Sequence, residues 1–237
     1  MRRSIGRILL AALLFVVNHA HAQDEEGFSG RAAFGYLATS GNTDNKTMST
    51  SFDLGWHYAP WHHSFKGAAV RASSSGIDTA EAYSLDWQTD YDFNDTTYAF
   101  GLIAWNQDKF SGYDQQIREV VGYGKRLIDT DVHKLNGEIG GGARQADLRD
   151  GASQDEAIIR LSGDYLWNIS EMSEFTQTLS IESGSDNTFT EAVTKLTAQI
   201  RGNFSVILSY TIRNNSDVPV GTERTDTFTA VALEYTF

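Results

Sequence analysis

The chain has 237 residues, a formal net charge of −12, 21 Gly, 2 Pro, no Cys and 12% aromatic residues. The acidic balance argues against a nucleic-acid partner, and the absence of Cys excludes a disulfide framework and thiolate metal sites. Scarce Pro suits long uninterrupted strands, and abundant Gly suits strands that bend around a small barrel.

Arg2, Arg3 and Arg7 precede an apolar run from Ile8 to Val17, and Ala20-His21-Ala22 supplies small residues where a signal peptidase cuts. Residues 1–22 are therefore expected to be a secretory signal peptide, since the run is shorter than the roughly 20 apolar residues that cross a bilayer. Losing those three arginines takes the net charge from −12 to −15. Residues 23–27 read as a short acidic lead-in and residues 28–237 as one barrel domain. No later stretch is long and apolar enough for a membrane helix. A barrel strand needs only about 9 to 11 residues with alternating faces, so a polar average does not exclude a membrane.

From Phe28 onward the pattern has period two, as strands require. After a weaker match at 28–38, residues 46–58 set Met48, Thr50, Phe52, Leu54, Trp56 and Tyr58 against Ser49, Ser51, Asp53, Gly55 and His57. Residues 62–72 follow, and the clearest strand is 81–93. There Tyr83, Leu85, Trp87, Thr89, Tyr91 and Phe93 oppose Ser84, Asp86, Gln88, Asp90 and Asp92. Further matches are 96–107, 115–128, 132–145, 156–169, 174–183, 191–201, 204–213 and 223–237, which makes twelve. An even count is the rule for bacterial single-chain barrels.

The connections alternate between short turns (at Ala59-Pro60-Trp61, Asn94-Asp95, Asp129 to Asp131, Ser170 to Ser173 and Gly202-Asn203) and longer polar stretches. The longer ones are 39–45, 73–80, 108–114, 146–155, 184–190 and 214–222. Short periplasmic turns and longer outer loops are the expected arrangement. Trp56, Tyr58, Trp61, Tyr91, Phe93, Trp167 and Phe204, with Tyr98, Phe100 and Phe175, gather beside the short turns as an interfacial aromatic girdle. The last strand runs through Val231, Leu233 and Tyr235 to a terminal Phe237. Tyr235 and Phe237 are expected to be read by the barrel-assembly machinery. Alternation alone would also suit a soluble β-sandwich. The even strand count with alternating loop lengths, the girdle and the terminal Phe favour an antiparallel outer-membrane β-barrel.

The segments Ala38 to Thr47 (ATSGNTDNKT) and Asn215 to Thr227 (NSDVPVGTERTDT), with Leu127-Ile128-Asp129-Thr130, resemble the YdiY-like salt-induced outer-membrane proteins, a domain of unknown function. The resemblance covers residues 28–237. It implies an outer-membrane barrel connected with salt and supplies no catalytic residues.

Chemistry is hard to place on this chain. His57, His62, His63 and His133 all lie near short turns, away from the outer rim where barrel enzymes meet their substrates. His62 and His63 point to opposite faces of a strand and cannot share a metal ion. Gly137 to Gly142 and Gly122-Tyr123-Gly124-Lys125 precede no helix, so they are not phosphate loops; they read as bends or as room for bulky lumen neighbours. No catalytic, metal or cofactor site is expected. The lumen face should carry Arg31, Asp53, Lys66, Asp86, Asp90, Asp92, Glu138, Arg144, Arg160, Asp164, Lys195, Arg201, Arg213, Asp226 and Glu234. These charges fit a barrel filled with ion pairs, and they also fit a small polar channel, which strand number cannot decide. Asp78, Asp108, Asp114, Asp147, Asp150, Asp155, Asp186 and Asp217 are expected in loops that face outer-membrane lipid and lipopolysaccharide. The leading expectation is a structural or salt-stress barrel without catalysis. A narrow solute or ion channel is the alternative, and a lipid-modifying or proteolytic enzyme a weaker one.

Overall fold

The computed structural model describes residues 27–39, 45–109, 113–148, 151–218 and 223–237. The expected signal peptide and nearly all of the lead-in lie outside these residues. The first six strands are β1 (Gly27–Thr39), β2 (Asn45–Tyr58), β3 (Trp61–Ser74), β4 (Ile77–Asn94), β5 (Thr97–Asp108) and β6 (Tyr113–Asp129). The other six are β7 (His133–Leu148), β8 (Ser153–Ser170), β9 (Ser173–Ser183), β10 (Thr188–Arg201), β11 (Phe204–Asn215) and β12 (Thr225–Thr236). All pair antiparallel with their sequence neighbours, and β12 returns to β1 to close a barrel.

Each of the twelve alternating segments therefore contains one strand. Alternation builds the wall directly, because successive side chains leave a strand on opposite faces. On β4, Leu85, Trp87, Tyr91 and Phe93 are exposed on the outer surface, while Asp86, Gln88 and Asp90 turn inward. From Arg31 the paired positions run through Asp53, Lys66, Asp86, Ala104, Arg118 and Arg144 to Glu156. Arg31 is near the short-turn end of β1 and Glu156 near the other end of β8. The row climbs as it circles, so the strands are tilted, as closure demands.

The loops differ from expectation. Residues 73–80 are no long connection: β3 and β4 are joined by Ser75-Gly76 alone, both left-handed at φ 52° and 81°. A two-residue turn with positive φ at both positions matches the twist of a hairpin. β8 begins at Ser153 and β10 at Thr188, so the connections before them also shrink. Consequently Asp78, Asp108, Asp114, Asp147 and Asp155 lie on strands, and only Asp186 and Asp217 lie in described connections; Asp150 is outside the described residues. The two ends are far less unequal than the sequence suggested.

Trp56, Tyr58, Trp61, Tyr91, Phe93, Trp167 and Phe204 are all exposed on the outer surface beside the short turns. Tyr98 and Phe100 are not part of that belt. They pair with Asp92 and Asp90 and are 4% exposed, so they point into the barrel. Their room comes from glycines opposite, since a Cβ on Gly124 would strike the Tyr98 ring and one on Gly122 the Phe100 ring.

The seam that closes the barrel is short. β1 and β12 are in register from Arg31 with Thr236 to Phe34 with Leu233. The N–H of Phe237 donates to the carbonyl of Gly30, and the N–H of Gly30 to that of Phe237, each at 2.8 Å. At Gly142 an added Cβ would run into the backbone carbonyl of Glu119, whereas at Gly101 it would meet nothing within 4 Å. Gly142→Ala should therefore lower the unfolding free energy by about 1–3 kcal/mol through overpacking, and Gly101→Ala should leave it almost unchanged. Urea titration of the refolded barrel in detergent measures both.

Candidate functional site

The interior is built asymmetrically, and β5 is the reason. Its inward face carries Tyr98, Phe100, Leu102 and Ala104, which pack with Val120 of β6 and Ile158 of β8 into one buried apolar cluster inside the barrel. Apolar side chains on a lumen face leave the water of the interior and fill part of its cross-section.

Charged side chains close over this cluster. Glu138 accepts from Arg160 Nη1 at 2.7 Å, Gln88 Nε2 at 2.8 Å, Ser162 Oγ at 2.9 Å and Tyr98 Oη at 3.0 Å. Arg160 also lies over the Phe100 ring, 5.9 Å from its centroid. Arg118 donates to Glu182 at 2.9 Å, and Glu182 is 1% exposed. Nearer the loop end Arg144 pairs with Glu156, both nearly fully buried, and Arg213 pairs with Glu191 at 2.6 Å while covering Phe228. At the short-turn end Arg126 and His62 share Asp92, at 2.8 and 2.6 Å. Each charge in these pairs thus has a partner of opposite sign, without which burial would be prohibitive. Two of these contacts, Gln88 with Glu138 and Arg118 with Glu182, join strands three apart in sequence order, so β4 to β9 are tied together across the interior.

The opposite side, β10 to β12 with β1 to β3, is lined differently. Its inward positions include Ala33, Gly35, Ser49, Ser51, Ala68, Ser205, Ser209, Ala230 and Ala232. Small side chains leave space, and several residues among them are accessible. Asp53, Lys66, Ala68 and Lys195 all face inward yet are exposed. Leu37, inward near the loop end, is 58% exposed. Lys195 lies within the electrostatic reach of Lys66 and Arg31 and of Asp53 and Glu234. Among the described residues, Lys66 and Lys195 form no ion pair. A cavity of about 340 Å³ opens at the short-turn end of this side, between Arg31, Glu174, Gln199, Ser205 and Glu234.

Of the expected lumen charges, Asp86, Asp90, Glu138, Arg144 and Arg160 belong to the filled side, while Arg31, Asp53, Lys66, Lys195 and Glu234 border the open one, where Arg213 pairs with Glu191 and Arg31 lies 3.4 Å from Glu174. Asp164 accepts from Thr178 at 2.7 Å, and Asp226 faces inward opposite Arg213. Arg201 is a correction. It follows a register shift, stands opposite the outward Phe204 and is exposed at the short-turn end. The bulge turns it out of the alternation on which its assignment rested. Arg118, Arg126, Glu156, Glu174, Glu182 and Glu191 were missed. Arg118 and Glu182 obey the same period-two rule as their neighbours, so strict parity along 115–128 and 174–183 would have found them.

The histidines have structural partners at the short-turn end. His62 and His57 stack inside at 3.9 Å, His63 bonds Thr89 at 2.9 Å on the outside, and His133 bonds Tyr165 at 2.9 Å. Tyr235 packs on Phe204 and Phe237 on the outer surface beside the seam.

Closed antiparallel topology with an apolar exterior and a polar, partly filled interior defines a β-barrel of the outer-membrane type. The chain belongs to the DUF481 family, described as a protein of unknown function, which matches residues 32–237. It is 29% identical over 225 residues to the uncharacterized protein YdiY of Escherichia coli (strain K12), covering 94% of this chain and 88% of that one. Among solved structures it is similar to an outer-membrane channel from Pseudomonas putida F1, with TM-score 0.51 and 10% identity over 92% of this chain and 100% of that one. It is also similar to the NanC porin, with TM-score 0.47 and 9% identity over 89% and 98%. The likeness to the Pseudomonas channel shows the fold.

Arg160→Ala leaves the buried Glu138 short of its strongest donor. Removing one partner of a buried pair typically costs about 3–5 kcal/mol, so the urea midpoint should fall steeply. Glu138→Ala in the same background should then cost much less than it does alone. Additive losses in that double-mutant cycle would show that the two residues do not act as a pair.

Proposed function

We propose that the barrel stands in an outer membrane, short turns toward the periplasm, and passes small solutes or ions along a narrow path displaced to the β10–β3 side. The observation that carries this reading is the exposure of Leu37, Asp53, Lys66, Ala68 and Lys195 on inward-facing positions between the loop end and the cavity at the short-turn end. Of the two fates open to these charges, mutual neutralisation dominates the β4–β9 side; on the other, Arg213 pairs with Glu191 and Arg31 with Glu174, while Asp53, Lys66 and Lys195 stay accessible. The outward girdle and the exposed apolar residues between it and the loop end support a hydrocarbon surrounding. The Pseudomonas relative in fold is an outer-membrane channel, which agrees with conduction.

A second reading, a mainly structural barrel serving salt or envelope stress, is favoured by the ion pairs and apolar cluster that fill the β4–β9 side. Catalysis has less support, because the four histidines are engaged by aromatic rings, Asp92, Thr89 and Tyr165 at the end away from the outer rim.

Planar-bilayer recording of the purified full chain separates the two. Conduction predicts small discrete steps, and Ala68→Trp, which fills the open side, should reduce them. Lys66→Glu with Lys195→Glu should move the reversal potential in a salt gradient toward cation preference, since fixed charge in a low-dielectric pore selects the opposite sign. A silent wild-type barrel across a range of salt concentrations would leave the structural reading standing.

A further inference from the structure

The outer wall of β2 to β5 carries a feature that conduction does not use. Between Phe52, Tyr83, Leu85 and Trp105, over a floor of Gly67 and Ala69, lies an outward groove of about 240 Å³ whose surface is almost wholly apolar. Gly67 makes it possible, because an added Cβ there would collide with the Phe52 ring.

Cations stand directly above the groove. Ala69 pairs with Tyr83, and two residues nearer the loop end Arg71 pairs with Glu81. With strands rising about 3.3 Å per residue, that places Arg71 about 7 Å above the groove floor on the same face. Arg71 Nη2 lies 2.6 Å from Asp78 Oδ2, and Lys109 Nζ lies 2.6 Å from Glu81 Oε1. The Tyr83 hydroxyl donates to the same Glu81 carboxylate at 3.0 Å, joining the groove wall to the charges. The hydrogen bond to Glu81 holds the Lys109 ammonium above its usual range, so it stays charged. Lys46, on the outward face of β2, brings the cluster to three cations against two carboxylates. The neighbouring wall is opposite in sign: Glu119, Asp147 and Asp155 face outward on β6 to β8.

We infer that this wall is a binding site for lipopolysaccharide, which lays an acyl chain in the groove and sets a sugar phosphate on Arg71 and Lys109. The assignment rests on the orientation proposed above, which turns the loop end to the outer leaflet. An acyl chain fits an apolar slot too dry for a soluble ligand, and a phosphate offers several strong acceptors to a guanidinium and an ammonium. Arg71 and Asp78 are an exposed pair, and such pairs are weak. The phosphate can therefore share or replace the carboxylate at small cost. Aromatic walls at the polar end of the slot suit the boundary between sugar and hydrocarbon.

The test uses the purified full chain in detergent, with native mass spectrometry against bis-phosphorylated lipid A and, separately, phosphatidylglycerol. The site predicts one lipid A per chain, held about tenfold more tightly than phosphatidylglycerol, and a loss of about tenfold in Arg71→Ala/Lys109→Ala. Ala69→Phe, which fills the groove, should weaken binding similarly, and Lys125→Ala at the short-turn end should not. Lys109→Ala alone, outside the strands, provides the same reading if the double variant folds poorly. Equal binding of the two lipids, or unchanged binding in the groove and cation variants, would overturn the inference. Conductance of the same variants should match the wild type, so a silent channel and an absent lipid site are distinguishable outcomes.

Discussion

Closure of the backbone ladder is the constraint on which the rest of this molecule depends. In hydrocarbon every unpaired N–H and C=O is costly, so a sheet can cross only if it has no free edge. Here the last edge is removed by a short seam, Arg31 to Phe34 against Leu233 to Thr236, extended by the reciprocal bonds of Gly30 and Phe237. Position matters as much as number. Phe237 lies at the short-turn end with its ring on the outer surface against Tyr235, so its backbone completes the ladder where its side chain can rest among the aromatic belt.

A closed wall fixes what each residue faces, and the interior follows from that. Twelve strands enclose more space than eight, which side chains alone can fill, and less than the 16 to 18 of an open pore. The chain resolves this intermediate size unevenly. Large inward residues, Tyr98, Phe100, Arg118, Arg160 and Glu138, are gathered on β5 to β8, while small ones such as Ala33, Gly35, Ser49, Ser51, Ala230 and Ala232 recur on the inward face of β11 to β2. Distributing the same residues evenly would give a core with gaps on every side. Segregating them gives one packed half, in which buried charges can meet their partners, and one accessible half.

Much of this was legible in the sequence because alternation is the quantity that a barrel imposes. Where inside and outside differ in polarity, as in Tyr83 to Phe93, the strand and both its faces could be read. β5 defeated that logic. Its outward residues Ala99, Gly101, Ile103 and Trp105 are no more apolar than its inward Tyr98, Phe100, Leu102 and Ala104, so polarity does not say which face is which. Strand ends failed for the converse reason. Beyond the hydrocarbon both faces are polar, as in Ser153 to Glu156, and a polar strand resembles a loop. Pairings such as Arg118 with Glu182 lie across the interior, and only the closed barrel shows which strands confront each other.

The two halves also explain why the exterior can be specialised on β2 to β5. β4 and β5 hold the groove wall through Leu85 and Trp105 on one side of the sheet. On the other they hold Gln88, Tyr98 and Phe100, which the Glu138 network and the apolar cluster lock in place. A side chain can present a fixed surface only if the backbone beneath it is held, and here the packed lumen supplies that support. The groove floor and Arg71 stand on β3, whose inward face, with Lys66 and Ala68, belongs to the accessible side. Interior filling and exterior recognition thus meet on β4 and β5, and the groove runs along the line where the packed half gives way to the open one on β3.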